Sequence, residues 1–582
     1  MYTAPLADIR FVLHALLGDQ VLEGLNDFPD YSTDFADSVL AEAAQFAEGV
    51  LAPTNAPGDR EGALWTADGV VVPAAMKDAY HRFVEAGWPT LRGPPSSGGQ
   101  GAPMVLCAAV EELWASANLS FKLCHMLTSA AVESIEQRGS EEQRRIYLPK
   151  LVSGEWTGTM NLTEPLAGSD LGLIRTRAEA TPAGFRLYGQ KIFISWGDHD
   201  VADNIIHLVL ARIDGAPAGT KGLSLFIVPK VLVSADGTLG ARNDVHCLSI
   251  ERKLGIHASP TCVMSYGDRG GAIGYLVGEP NRGLESIFIM MNAARLSVGL
   301  EGYAIVERAY QQAAAWAVTR RQGKSPAATP VAIASHPDVR RMLLSMRASV
   351  EAARALALYT ALQLDLGAHA PDASLRTQAQ ARGDLLIPIV KAWSTEMGVE
   401  VASMGIQVHG GMGYIEDTAA AQLMRDARIG PIYEGTTGIQ ALDLISRKVG
   451  RDQGAALFDL LEQMRHELEA LQPNKPADHD MCAEALVALV ALKHSAHLLV
   501  GYLAHDVTHA QTIAVPFLKQ CGLTMGGWLM AKADALAAAG VGGSSEFLTA
   551  KRLTARFYAT HLLPQAIAFG RTVECGANCL ID

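Results

Sequence analysis

The apolar rhythm of the chain changes twice, and those two changes limit what it can fold into. Up to about residue 157 the apolar residues fall at helical spacing. After Asp34, for example, Phe35, Val39, Leu40, Ala43 and Phe46 follow the i, i+4, i+5 pattern of a half-buried helix. Near Thr157 this gives way to short β-rich pieces, FRLYGQKIFIS, IIHLVLARI, GLSLFIVP and TCVMSYGD, separated by Gly, Asp, Asn and Pro. From Leu284 the helical period returns in long segments, ARLSVGLEGYAIVERAYQQAAAWAVTRRQG and DVRRMLLSMRASVEAARALALYTALQLDLG among them. The order predicts an α+β chain: an N-terminal helical domain (1–157), a middle antiparallel β domain (158–280), a four-helix-type bundle (281–450) and a helical C-terminal extension (451–582).

Local signals sharpen this frame. Pro94-Pro95 and the glycines of SSGGQGAP mark a loop, and Ser140 with Gln143 three positions later reads as a capping box. Pro388 is expected to kink its helix rather than end it, since apolar spacing continues on both sides. LQPNKPADHD, with two prolines and no apolar rhythm after Leu471, reads as a loop.

With 582 residues the chain is too long for one ordinary core, and at 49% hydrophobic it is a poor candidate for disorder. A formal charge of −13 argues against nucleic acid as a partner, while leaving room for a local basic pocket. Asp8 and Arg10 precede the apolar part of the N-terminus, unlike a signal peptide. No uncharged apolar stretch reaches the roughly 20 residues of a membrane span, and the run Leu498–Ala504 is far shorter. Of eight cysteines only Cys575 and Cys579 are close, too little for a metal site, so reduced thiols and a cytoplasmic location are expected.

Two segments carry the chemistry. In IYEGTTGIQALDLISRKVG, Glu434 follows Tyr433 and precedes Gly435, and Thr436 or Thr437 can cap the helix that follows. A carboxylate there can project into a cleft while neighbouring amides stay available to an oxyanion; a Glu that simply favours a helix start is the plainer alternative. In MNLTEPLAGSDLGLIRTRA, Pro165, Gly168, Ser169 and Asp170 form a tight loop able to cradle a flavin or a phosphate, or only to connect strands. No GxGxxG follows a strand and no P-loop sequence is present, which disfavours a nicotinamide or nucleotide-hydrolase domain.

Together these segments resemble the acyl-CoA dehydrogenase family over roughly residues 35 to 450. TEPLAGSD is similar to the family's flavin loop and YEGTTGIQ to its catalytic segment. KLGIHASPTC (253–262) and QVHGGMGY (407–414) resemble two further signatures. The N-terminal YTAPLADIRFVLHALLG and the helical tail resemble a larger bacterial branch that includes 3-methylmercaptopropionyl-CoA dehydrogenases and long-chain relatives.

The resemblance implies an FAD enzyme that oxidises an acyl-CoA thioester to the trans-2-enoyl-CoA. The substrate is left open between 3-methylmercaptopropionyl-CoA and medium- or long-chain fatty acyl-CoA. It implies Glu434 as the base for the α-proton, with Tyr433, Gly435 and Arg295 bordering the substrate; a surface or interface salt bridge is the equal competitor for Arg295. Met160, Leu162 and Thr163 align with the strand that touches the flavin, and Ser169 with a contact to the cofactor or the CoA arm. Phe193 and Ser195 stand where the family has an aromatic residue and a hydroxyl; Phe193, in place of Trp, lacks the indole donor.

Arg320, with Gln322 as a neutral helper, matches the pyrophosphate contact, although Arg321 competes for that role. Gln407 and Gly411 match residues reaching the flavin of a second subunit, and Thr436 a further cofactor contact. His257, His409 and Asp443 are expected to be structural, Asp443 as a solvated or capping carboxylate. The implied partners are an electron-transfer flavoprotein and a second copy of the chain. An oxidase of the same fold and a non-catalytic flavoprotein scaffold are the alternatives.

Overall fold

The computed structural model describes residues 2–18, 20–25, 27–29, 31–182, 184–324, 330–471 and 481–576. Residues 472–480 of the LQPNKPADHD segment and Cys579 of the close cysteine pair lie outside the described residues. The chain divides into two compact units. One comprises Met1–Glu48, Pro103–Ala117 and Arg295–Asp582, the other Gly49–Ala102 and Asn118–Ala294.

The second unit is built on eight strands: β1 (Trp156–Asn161), β2 (Arg177–Thr181), β3 (Gly184–Ser195), β4 (Asn204–Ile213), β5 (Leu223–Pro229), β6 (Val245–Ile250), β7 (Thr261–Tyr266) and β8 (Ala272–Val277). They form one sheet in the order β6-β7-β3-β8-β5-β4-β1, with β2 against β3 and β4. β4 and β5 are apolar nearly throughout because both their faces are covered. On one face Ile206, Leu208, Leu225 and Ile227 pack with Ala131, Ile135, Leu148 and Leu151, from helices Leu119–Arg138 and Glu141–Ser153. On the other, Val209, Phe226 and Val228 meet Leu187, Met264 and Tyr266, the alternation of a two-residue period.

The sheet departs from the purely antiparallel expectation in two ladders. β1 and β2 both run parallel to β4. The chain between β1 and β4 passes through β2 and β3, a connection long enough for the parallel pairing that a tight hairpin forbids. The helical reading of the first 157 residues also missed a hairpin, Leu64–Thr66 with Gly69–Val71, whose three-residue strands are too short for a periodic signal. The capping box at Ser140 and Gln143 is formed with both of its hydrogen bonds.

The first unit is helical. Its elements are α1 (Thr33–Phe46), α2 (Met104–Ala117), α3 (Gly283–Thr319, of which Arg295 onward belongs here), α4 (Pro337–His369), α5 (Ala373–His409), α6 (Thr437–Asp443), α7 (Ala455–Ala470), α8 (Met481–His505), α9 (Ala514–Ala538), α10 (Ser545–Phe557) and α11 (Pro564–Cys575). α5 runs unbroken through Pro388. α3 is followed by a small hairpin, Arg321–Lys324 with Pro330–Ala332.

A buried ion cluster joins five separate stretches of this unit. Arg354 of α4 reaches Glu112 of α2 (2.9 Å), Glu307 of α3 (2.7 Å) and Asp8 near the N-terminus. Lys551 of α10 bonds the same Asp8 and lies 3.0 Å from Glu351 of α4. Burial pushes the Asp8 carboxyl up, but Lys551 and Arg354 outweigh it and hold the carboxyl well below the ordinary carboxylate range.

Taken as a whole helix, α8 is long and apolar enough to cross a membrane by length and composition, with a mean hydropathy of 1.6. Glu484 and Lys493 interrupt its apolar sequence, and Ala485, Ala488, Leu492, Ala496 and Leu499 are buried along one face.

Candidate active site

The Glu434 segment is a turn between the short helix Ala420–Ala427 and α6. The Ile432 and Tyr433 amides donate to the Ile429 carbonyl at 2.8 and 3.1 Å, and the Thr437 amide donates to Pro431 at 3.0 Å. To reverse direction in so few residues the backbone takes φ +53° at Glu434 and +89° at Gly435. The left-handed conformation costs a non-glycine residue about 1–2 kcal/mol, so something must hold Glu434 in it. Gly435 is required as glycine: a Cβ there would meet Gln440 Nε2 at 2.8 Å. The Thr436 side chain accepts from the Ile439 amide (3.3 Å) and caps α6, as the sequence indicated.

Two buried side chains grip the carbonyls of this turn. Lys391 of α5 donates from Nζ to Gly430 (2.8 Å) and Gly435 (2.7 Å). Gln440 donates from Nε2 to Glu434 (2.9 Å) and Gly435 (3.3 Å). The Glu434 amide itself has no acceptor among the described residues and stays available to a ligand oxygen.

Burial pushes the Glu434 carboxyl up to about 7. Arg295 and Lys391 pull against that rise, and Glu301 adds to it. Arg295, on α3, is itself engaged: its guanidinium bonds Asp443 at 3.2 Å, while its Nε lacks an acceptor among the described residues. Asp443 is thus 8% exposed and paired, not solvated as expected, because Arg295 and Arg447 (3.5 Å) both face it. The Tyr433 hydroxyl donates to Glu301. A base poised near neutrality beside a free amide is the equipment for removing a proton next to a carbonyl. Lys391, Gln440 and Glu301 were not found from the sequence.

In the second unit the structure brings Met160, Leu162 and Thr163 beside Phe193 and Ser195. The Ile192 amide donates to the Thr163 carbonyl (2.9 Å), and the Thr159 hydroxyl to the Ser195 carbonyl (2.9 Å). Phe193 sits at φ +59° with its residue 59% exposed, and the hydroxyls of Thr163, Ser169 and Ser195 have no partner among the described residues. An exposed apolar ring near unspent hydroxyls fits a flat, hydrogen-bonding ring system such as a flavin.

The loop that follows is anchored from below. Lys191, fully buried, donates to the Leu162 carbonyl and to Glu164 Oε1, both at 2.9 Å. Glu164 also accepts from the amides of Arg175 (2.7 Å) and Thr176 (3.0 Å) and from the Thr176 hydroxyl (2.6 Å). This pair, too, was not anticipated.

The remaining sequence candidates lie on exposed ends of the first unit. The Arg320 guanidinium is exposed and has no partner among the described residues, whereas Arg321 donates to the Pro330 carbonyl at 3.3 Å. Gln322 is exposed and its carbonyl receives His336 Nε2 at 2.8 Å. Gln407 lies exposed on the last turn of α5, and Gly411 in the following turn beside Met412 and the 83%-exposed Tyr414. Trp316 stacks on His409 at 5.3 Å, setting the end of α3 next to that of α5. His409 also bonds the Gly405 carbonyl (2.7 Å), and His257 contacts Asp59 (2.9 Å) and the Lys253 carbonyl (3.1 Å), so both histidines are structural.

Comparison with known proteins agrees with this geometry. Family profiles for the acyl-CoA dehydrogenase N-terminal domain (33–155), middle domain (159–268) and C-terminal domain (281–449) match in turn, followed by acetyl-CoA dehydrogenase C-terminal like (460–582). The chain is 44% identical to 3-methylmercaptopropionyl-CoA dehydrogenase of Ruegeria pomeroyi, covering 99% of this chain and 97% of that protein. The chain belongs to the acyl-CoA dehydrogenase family. It is also 34% identical to the broad-specificity linear acyl-CoA dehydrogenase FadE5 of Mycobacterium tuberculosis, over 100% of this chain and 98% of the relative. The fold is shared with an acyl-CoA dehydrogenase from Bacillus anthracis solved with FAD: TM-score 0.76 at 21% identity, over 94% of this chain and 89% of that one.

Proposed function

We propose that the protein oxidises an acyl-CoA thioester to the trans-2-enoyl-CoA, with Glu434 as the base. The observation that carries the reading is Glu434 itself: a carboxyl pushed up to about 7, next to an uncommitted backbone amide, in a turn held by Lys391 and Gln440. The thioester carbonyl acidifies the α-hydrogen; Glu434 Oε takes that proton, and the Glu434 amide donates to the thioester oxygen as charge builds there. An acyl chain covering the carboxylate expels water and raises its basicity further. FAD, when bound, supplies the acceptor for the β-hydrogen, which leaves as hydride.

Thr163, Ser169, Ser195, Met160, Leu162 and Phe193 would hold the flavin from the second unit. Arg320, Gln322, Gln407, Gly411 and Thr436 are the cofactor contacts proposed for the first unit and for a second copy. The likeness to the Ruegeria pomeroyi enzyme supports 3-methylmercaptopropionyl-CoA as a substrate to try first, ahead of medium- and long-chain esters. Electrons would pass to an electron-transfer flavoprotein. A homodimer is the proposed assembly: Met412, Tyr414 and Ile415 next to Gly411 leave an exposed apolar face suited to a second copy, and light scattering returning a tetramer would count against it.

The test is an anaerobic visible spectrum of the FAD-loaded protein before and after addition of 3-methylmercaptopropionyl-CoA, butyryl-CoA and longer esters. Bleaching of the yellow flavin by at least one ester is expected. A flavin left unbleached by the whole panel would overturn the reading.

A further inference from the structure

We propose that Lys391 is a positioning residue of this reaction: it fixes the backbone of the Glu434 turn and, with Arg295, supplies positive charge that keeps Glu434 available as a carboxylate near neutral pH. The inference rests on Glu434 being the base.

The first half follows from geometry. Two consecutive residues in the left-handed region make a turn whose carbonyls point into the protein, where an unmet carbonyl is costly. Lys391 Nζ meets two of them, Gly430 at 2.8 Å and Gly435 at 2.7 Å, one before and one after Glu434. Gln440 takes the Glu434 carbonyl from the other side. Both anchors come from helices, so the catalytic carboxyl is held by rigid elements although it sits on a turn. A shift of about 1 Å in such a group costs on the order of a hundredfold in rate.

The second half follows from the charges around Glu434. Arg295 and Glu301 face it from α3 and Lys391, with Glu396 nearby, from α5, while Asp443 pairs with Arg295 and with Arg447. Arg295 is committed to Asp443, and Glu301 repels a second negative charge. Arg295 nonetheless opposes the rise most, and Lys391, whose bonds go to uncharged carbonyls rather than to a carboxylate, is the second cation that acts on Glu434. Burial draws its own pKa down to about 8, with Glu434 the main group opposing that fall. A nearby cation favours the ionised carboxyl; removing it moves the Glu434 midpoint up and lowers the fraction of base at pH 7.

The experiment compares Lys391→Met, Lys391→Gln and Lys391→Arg with the wild-type holoenzyme. Flavin bleaching by butyryl-CoA is followed from pH 5 to pH 9.5. In parallel, infrared difference spectra follow the Glu434 carboxyl stretch, assigned by its loss in Glu434→Gln. Lys391→Met is expected to slow bleaching about 10- to 100-fold at pH 7 and to raise the midpoint by about one unit in both measurements. Lys391→Arg should return the midpoint to its wild-type place. Lys391→Gln, which keeps a donor without the charge, should raise the midpoint while losing less of the rate reached at high pH, and it decides the matter if Lys391→Met does not fold.

A structural role alone would lower the melting temperature and leave the midpoint where it was; that result overturns the proposal. Failure of the base reading is separable. There Glu434→Gln would still bleach its flavin, while the infrared midpoints would continue to report on Lys391.

Discussion

Each of the two units contains a fully buried lysine close to a glutamate, and the two pairs have opposite outcomes. In the second unit Lys191 bonds Glu164 directly at 2.9 Å, and three further donors converge on the same carboxylate. Burial raises Glu164, but Lys191 and those donors overcome it, and the carboxyl ends below its ordinary range. In the first unit Lys391 spends its donors on backbone carbonyls and acts on Glu434 only through space. There burial wins, and the carboxyl is pushed up to about 7. Both lysines are drawn down to about 8. The difference lies in where the lysine's hydrogen bonds go: onto the carboxylate, and the pair is an anchor; onto the backbone beside it, and the carboxylate is left free to take a proton.

Matched substitutions should split the pairs most sharply in rate. Glu434→Gln is nearly isosteric and should slow anaerobic flavin bleaching on the order of a thousandfold or more, with folding intact. A variant that kept near-normal bleaching would erase the distinction drawn here. Glu164→Gln should act on stability instead: it strands a buried ammonium and should cost about 3 kcal/mol in urea denaturation. If it proved neutral, the second pair would not be an anchor.

The pH dependence should also run in opposite directions. Glu164, depressed in the folded state, contributes stability that is fully present above its unfolded value of about 4.3 and is lost as pH falls through its folded value. Glu434, raised in the folded state, does the reverse. The unfolded chain ionises first as pH rises from about 4.3 toward 7, so stability declines across that window. Thermal melts of Glu434→Gln should accordingly match or exceed wild type at pH 8, and those of Glu164→Gln should fall short. The smallest effect sets the scale: Ser140→Ala removes one capping bond, should cost about 1 kcal/mol, and should leave flavin bleaching untouched.

What the sequence made legible was whatever is carried by neighbours in the chain. Glu434, Gly435 and the Thr436 cap are consecutive, and the Ser140–Gln143 box spans three positions, so a linear reading reaches them. Lys391 lies in an apolar stretch of a long helix, 44 residues before the Gly435 carbonyl it holds. Nothing local distinguishes it from a lysine at the edge of an apolar face. Glu301 and Tyr433 are 132 residues apart. β6 and β8 escaped notice for a related reason: β6 is only partly buried, so its side chains alternate weakly, and Gly274 interrupts β8. The parallel placement of β1 on β4 depends on a crossing that no local pattern records. Asp443, read as a solvated or capping carboxylate, is paired with Arg295, which lies 148 residues away where no local pattern shows it.

The ion cluster around Asp8 bears on how the protein is made. Asp8 is synthesised well before Lys551, which bonds it in the finished structure and is 543 residues further on. At roughly 5–20 residues per second, the wait between them is about half a minute to nearly two minutes. Until then Arg354 faces the carboxylates of Asp8, Glu112 and Glu307 without Lys551. The segment around Asp8 therefore lacks its Lys551 contact until α10 has been synthesised. Synthesis that stops short of α10 leaves Asp8 with Arg354 but without Lys551.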